Sequence, residues 1–582
     1  MRKGRLWQVL LAGVGLLLAI SATSCYPGTP TYEPPATPTP GLTVPAPEPS
    51  LMPGPTPSVM PQPQPSPTLD LGRTLRIGWL HSPGDLSPLS DTPSDTDMVL
   101  DLIFDHLISV QLDSTYRPSL AMNWSSDDDG RLWTFTLQPD AAFHDGRRVT
   151  PEDVALTLAL LRNNPRFELY SGSRAKVIRA ESNGPNGLVL ELSEAVANIE
   201  AYLYWVPVLP QHLWSDWELT GSAAPDTSRL VGSGPFVLED LRPGEVVLRA
   251  NNKYWAGAPK IDAVVFHSYL TPLALADALE GDAVDLITSV PLSRLARLRA
   301  DSSLQVVSGP QARVSHLLIN VSQGPDSTGH RALLDPQVRL AIAHAVDNQQ
   351  LIDVSLQGQA MPGLSVLPPV LTTWFESEIE DVAFDLQQAN DVLHDAGYVD
   401  LDGDQVREMP SGEASLRFRL FVPSDTEPGG RTVELLSGWL RQIGVELQPQ
   451  SLIPETLASL ACPVCDFDLI LDSVQGGPDP AMLLGQLSTD QIALGRNATG
   501  YSNPEFDSLF AQQSTLLNHM ARRLAIGQLQ RLVFDDRPTI VLYYELALQA
   551  FRKDRFANWL FMPNGTLSLA NRQSLMQVEA VP

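Results

Sequence analysis

The chain has 582 residues, enough for more than one compact unit and a sizeable core. It is 43% hydrophobic and 18% charged, with 39 Lys+Arg against 67 Asp+Glu and a net charge of −28. So acidic a surface repels nucleic-acid phosphates and anionic lipid headgroups, and three cysteines exclude a disulfide-built scaffold.

Met1 to Arg5 is short and basic, Leu6 to Ile20 is uncharged and mostly apolar, and Ser21-Ala22-Thr23-Ser24-Cys25 closes the run with small residues and a cysteine. This is the order of a secretory signal. The terminal cysteine makes it resemble a bacterial lipoprotein signal, which implies cleavage before Cys25 and lipidation of its thiol. The alternative is an uncleaved N-terminal anchor, because Leu6 to Ser24 carries no charge. Both readings place the body outside the cytoplasmic membrane. Residues 27–68 then hold 16 prolines in 42 positions. Such a run has no apolar face to bury and favours extended polyproline II, with a reach on the order of 130 Å. We expect a signal at 1–25 and a disordered tether at 26–69.

The body begins near residue 70. Thr74–Trp79 alternates as a strand, and Val99 to Leu107 has helical spacing. Leu132–Leu137 alternates again, Phe143-His144-Asp145-Gly146 is a tight turn, and Thr150-Pro151-Glu152-Asp153 opens a helix. Strands follow at Gly187–Leu192, Glu245–Ala250 and Ala263 to His267, and helices at Val338 to Val346 and Val433 to Ile443. Phe467 to Leu471 is a buried strand, Ala521 to Phe534 a helix and Thr539 to Tyr544 a last strand. No repeat period appears, so the class is α/β without the strict alternation of a barrel.

Motifs for chemistry are few. Val231-Gly232-Ser233-Gly234-Pro235 lacks the first glycine of a nucleophile elbow and reads as a turn entering a strand. There is no H-E-x-x-H, P-loop or dinucleotide fingerprint. A secreted hydrolase is therefore disfavoured, and the chain is expected to be no enzyme and to need no cofactor. Cys462-Pro463-Val464-Cys465 precedes a strand and is expected to form a local disulfide rather than a redox or zinc site. Asp400-Leu401-Asp402-Gly403-Asp404 with Glu408 is close to a calcium loop, but positions six and twelve hold Gln405 and Ser411, so a solvated acidic turn and no metal site are expected.

Several blocks in order resemble one family. They are Asp85-Leu86-Ser87-Pro88-Leu89, Phe104-Asp105-His106-Leu107, Phe143-His144-Asp145-Gly146, Gly232-Ser233-Gly234-Pro235-Phe236, Asn251-Asn252-Lys253-Tyr254-Trp255, Gly281-Asp282-Ala283-Val284-Asp285 and Val338-Arg339-Leu340-Ala341-Ile342. Together they look like the extracytoplasmic solute-binding proteins of ABC transporters, of the peptide/nickel (family 5) type. The resemblance implies a two-lobed, periplasmic-binding-protein-like type II fold with two crossing hinge strands. On this chain lobe I would be 70–312 plus 545–582 and lobe II 313–544, with crossings near Arg313 to Asn320 and Tyr543 to Phe551.

The same resemblance implies a lipid-anchored, monomeric receptor on the outer face of the membrane, taking a peptide-like solute into an interlobe cleft for ABC permease subunits. The alternative is the same fold binding a non-peptide solute or acting as a sensor. Peptide-binding members hold the ligand's ammonium with an aspartate in W-x-x-D-x-x-D-P. Here Ser473 replaces the tryptophan and Gly476 the aspartate, while Asp479-Pro480 is retained. The ligand-binding residues implied are Asp85 and Leu86 from lobe I, and Trp374, Asp472, Ser473, Val474, Gln475 and Gly476 from lobe II, with Asp472 as a substitute carboxylate.

Overall fold

The structure is a computed structural model that describes residues 73–80, 86–90, 96–110, 115–161, 177–217, 226–424, 429–560 and 569–581. The N-terminal segment, including Cys25 and the proline-rich run, and Asp85 lie outside the described residues. Among the described residues no helix is long and apolar enough to cross a membrane.

Thr74–Trp79 alternates as its sequence requires, and the inward Leu75, Ile77 and Trp79 are buried. It pairs in parallel with Ala263–Ser268 and Leu286–Ile287. Glu245–Ala250 and Phe236–Arg242 extend that side of the sheet antiparallel. The sheet continues the other way through two long strands, Leu304–Ile319 and Thr539–Arg552, which pair with each other antiparallel. Beyond them come Leu469–Gln475, Arg417–Pro423 and Glu446–Leu452. Parallel neighbours need a crossover, and helix Gly429–Arg441 lies between Arg417–Pro423 and Glu446–Leu452 in the chain. A separate antiparallel sheet runs in the order Ala121–Ser126, Leu132–Leu137, Gly187–Leu192, Val177–Ser182.

The apolar side chains gather in distinct cores. The largest takes residues between Leu75 and Leu286 and then Phe551, Phe556, Trp559, Leu575 and Val578 from the chain's end. Two others draw their buried members from 312–544, one around Leu317, Phe418, Leu440 and Leu542, the other around Val314, Leu367, Phe506 and Tyr544. The long strand pair runs through from one group of cores to the other, and its register breaks between Pro310 and Val314. The architecture is thus two-lobed, as the resemblance implies. The lobes also meet away from the strands. Ala197 N–H donates to Ser514 O (2.7 Å), and Leu517 Cδ1 lies 2.8 Å from where a Cβ on Gly130 would stand.

The blocks that carry the family likeness have structural work. Asp105 is fully buried and accepts from Tyr254 Oη (2.9 Å), Trp255 Nε1 (3.0 Å) and Arg572, a pairing that a buried carboxylate requires. Asp285 takes Arg76 on both oxygens (2.9 and 2.8 Å) and also Arg555 (3.0 Å). A Cβ at Gly232 would lie 1.9 Å from Ile103 O, and one at Gly234 2.5 Å from Leu102 O, so both glycines serve a close backbone approach. Ser233 between them is fully buried, closed to any substrate. At the start of helix Pro151–Leu161, Asp153 Oδ2 accepts from Thr150 N and Oγ1 (both 2.8 Å), the returning half of a capping box.

Some element ends differ from the sequence reading. The first helix is Asp97–Ile103 and stops before Leu107 because Phe104 is extended. The helix read from Val433 starts earlier, at Gly429. The strand read at Phe467 to Leu471 is Leu469–Gln475, and the last strand runs on from Tyr544 to Arg552. Pairing continues past Leu471 into the polar Asp472 and Ser473 in the first strand, and past Glu545 into a second apolar stretch in the other. Cys462 and Cys465 are joined as a disulfide.

Candidate functional site

Where the long strands cross, three strands lie side by side. Ser315 faces Ser473 on one neighbour and Tyr543 on the other. The two serine hydroxyls converge on Glu545, whose Oε1 accepts from Ser315 Oγ (2.6 Å) and Ser473 Oγ (2.7 Å). Arg313 Nε lies 4.0 Å from Glu545 Oε2 and donates to Gln475 Oε1 (3.4 Å). Glu545 keeps 26% of its side-chain surface open and Arg313 42%. This is a polar floor laid between apolar cores.

Against it sits a cavity of about 20 Å³, lined by Ser315, Gly429, Thr432, Leu471, Asp472, Ser473 and Tyr543. That is room for about one water. Thr432, in the first turn of its helix, is fully buried, and its Oγ1 has no hydrogen-bond partner. Burial, with the nearby charge of Glu545, pushes the Tyr543 phenol up to about 12. A larger cavity of about 50 Å³ lies elsewhere, among Asn348, Gly363, Val382, Phe534 and Arg537, and its wall is not the strand edge described below.

Asp472 lines the smaller cavity and leaves 38% of its side chain exposed. Burial works to raise its pKa, but His316, the Ser473 backbone N–H and the charge of Arg313 outweigh it and hold the carboxyl below its ordinary value. His316 Nε2 lies 3.7 Å from Asp472 Oδ2, ion-pair distance but long for a hydrogen bond, while Nδ1 is 3.0 Å from Thr539 Oγ1.

The backbone of this strand is as informative as its side chains. Pairing with Arg417–Pro423 stops at Leu420–Leu469 and Phe421–Ile470. Among the described residues, the Leu471–Gln475 edge on that side has no strand partner. On the opposite side, pairing with Arg313–Ile319 runs the whole length. An extended, half-paired strand is a ready template for another extended chain.

The residues inferred from sequence fall into three groups. Asp472 and Ser473 line one cavity, and Val474 and Gln475 continue the same strand. Gly476 N–H donates to Ala312 O (2.5 Å), and a Cβ there would stand 2.8 Å from Leu483 Cδ1 and 3.3 Å from that carbonyl, so a larger residue requires Leu483 to shift. Trp374 and Leu86 have other partners. Arg522 lies over the Trp374 ring (4.8 Å), and His519 meets the same ring at a tilt (4.8 Å between centroids). Arg522 in turn grips the retained Asp479 with both terminal nitrogens at 2.8 Å. Leu86 is 3% exposed and belongs to the large core. Sequence reasoning missed Ser315, Thr432, Tyr543 and Glu545. The one available signal was a glutamate just past the apolar run Thr539 to Tyr544, at a position where the strand was expected to end.

A model of the bacterial extracellular solute-binding proteins, family 5 (middle), matches residues 115–493. The chain belongs to this family. It is 24% identical to the nickel-binding periplasmic protein of Escherichia coli over 427 residues, covering 71% of this chain and 78% of that one. It is 23% identical to heme-binding protein A of Haemophilus influenzae over 464 residues, 75% and 81% of the two chains. Among solved structures, the oligopeptide-binding protein AppA of Bacillus subtilis in complex with a nonapeptide superposes with a TM-score of 0.70 at 18% identity, over 88% of this chain and 99% of that chain. The family is extracytoplasmic, and its fold is two lobes joined by crossing strands, as found here.

Proposed function

We propose that this chain is the substrate-binding receptor of an ABC importer and that it takes a peptide-like solute along the open edge of Leu469–Gln475. The observation that carries this reading is that edge. Its backbone donors and acceptors recognise any extended peptide, independent of side chains. Glu545 and Asp472 stand near it and suit an ammonium or another cationic head, supplying the charge that Gly476 lacks. Relatives carry names for nickel and heme as well as oligopeptide binding. The absence of a carboxylate at 476 therefore also supports a second reading, a non-peptide solute or a sensor role in the same fold.

Catalysis has little support. Asp472, His316 and Thr539 follow the order acid, base, hydroxyl, but Thr539 is 6% exposed and its hydroxyl is closed to a substrate. The group reads as a pin between strands.

Native mass spectrometry of freshly purified protein tests the ligand class. A ladder of peptide masses is the expected result, and a single non-peptide mass would overturn it in favour of the second reading. The proposal includes anchoring through lipid on Cys25, supported by the signal order of residues 1–25. Cys25→Ala should then release the protein from the membrane fraction into the soluble one. Retention on the membrane would instead show an uncleaved anchor.

A further inference from the structure

The cavity of about 50 Å³ is separate from the ligand site, and none of its wall comes from Leu469–Gln475. Much of that wall is apolar, with Val346, Val533 and Phe534 in it. Ser365 and Thr539 also line it, but their hydroxyls are already bonded to Gln530 and His316. Three further polar side chains in the wall, Asn348, Asp381 and Arg537, are not so matched.

Asn348 Nδ2 reaches the carbonyls of Gly363 and Val541 (3.4 and 3.5 Å), which belong to the same wall, so two acceptors fix which end of the amide is which. Its Oδ1 is buried and has no donor. A buried acceptor of this kind costs stability unless a donor reaches it. Arg537 follows helix His519–Asp536 in the left-handed conformation, with φ 48°. Its Nη1 donates to Asp535 O (2.8 Å), and its guanidinium lies 5.3 Å from the Phe534 ring centre. The nearby Asp536 carboxylate accepts from Tyr501 and Asn503 instead. Asp381 is exposed, which puts it at the cavity's rim, and the Val382 backbone N–H is its hydrogen-bond donor. Burial pushes the Asp381 carboxyl above its ordinary range and draws the Arg537 guanidinium below its own. One wall thus holds a cation, an anion and a bare acceptor, and among the described residues no ion pair joins the two charges to each other.

We propose that this cavity is a second binding site and that it takes a small free amino acid as its zwitterion. The carboxylate goes to Arg537, whose planar guanidinium suits it. The ammonium goes to Asn348 Oδ1, in the field of Asp381. A mostly apolar pocket with a few convergent polar groups is the usual form of a small-molecule site. The space holds about four waters, which suits the smallest amino acids and excludes aromatic ones.

The test is calorimetric titration of glycine, L-alanine and β-alanine into the full chain, with Arg537→Gln and Asn348→Ala alongside and circular dichroism to show that each variant is folded. One molecule of at least one of the three is expected per chain. Either variant should weaken it by about tenfold to a hundredfold, the range for a lost hydrogen bond to a charged group. Acetate and methylamine, each with one of the two charges, should bind far more weakly. No binding of any of the three up to about 10 mM would overturn the proposal. Binding that survives Arg537→Gln but is lost in Asp472→Asn would overturn it too, because the amino acid would then sit at the strand edge. The Arg537 side chain is only partly buried, so Arg537→Gln carries the test alone should Asn348→Ala fail to fold.

Discussion

Arg522→Ala should lower the unfolding free energy of the second lobe by about 3–5 kcal/mol, read as a drop in the urea midpoint. The guanidinium is 5% exposed and Asp479 4%, and the two are joined by paired bonds of 2.8 Å. Arg522 Nε also donates to Gln513 Oε1 (3.0 Å), and its plane lies 4.8 Å from Trp374. Removing it strands a buried carboxylate whose Oδ1 also accepts from Ala481 N–H at the next helix start. The cost is mainly that unpaired charge. Replacing both partners, Arg522→Met with Asp479→Leu, should therefore recover much of the loss, less the cap on Ala481. Arg522→Lys should not recover it, because an ammonium cannot reproduce the two-pronged geometry. An Arg522→Ala midpoint within error of wild type would show that the pair is not what holds this corner of the lobe.

That pair also explains how far the site was legible in the sequence. The stretch Ser473 to Pro480 mixes two kinds of residue. Asp479 holds the fold through Arg522, whereas the resemblance implies a ligand role for position 476, and here Gly476 stands close to Leu483 and Ala312. The sequence pattern presents them as one motif, and only the packing separates them. Trp374, which the resemblance implies as a ligand-binding residue, has its ring 4.8 Å from the guanidinium of the buried Arg522. The alternating strands Thr74–Trp79 and Leu132–Leu137 were readable because each has one buried face, and that face sets the period. The end of Leu469–Gln475 was not readable because the strand leaves its apolar run at Asp472, and that of Thr539–Arg552 because Glu545 interrupts the apolar pattern before Leu548 to Phe551 resume it in the other lobe's cores. Ser315, Ser473 and Glu545 meet across separations of 158 and 72 residues, a distance that no local spacing records.

Glu545→Gln should weaken ligand binding by about 10- to 100-fold while leaving the melting temperature close to wild type. The first part rests on the proposed cationic head, since a hydrogen bond to a charged group is worth about 1.5–3 kcal/mol and an amide keeps only part of it. The second part rests on the serines. The amide oxygen of glutamine can still accept from Ser315 Oγ and Ser473 Oγ, so the join between the three strands persists. Arg313, at 4.0 Å and 42% exposed, loses only a loose partner and turns to water. Calorimetry with the peptides recovered from the native protein reads the affinity, and a thermal melt reads the fold. Unchanged affinity with Glu545→Gln but a large loss with Asp472→Asn would move the cationic seat onto Asp472, beside His316. Unchanged affinity with both would remove the charged head from the ligand and leave recognition to the open strand edge.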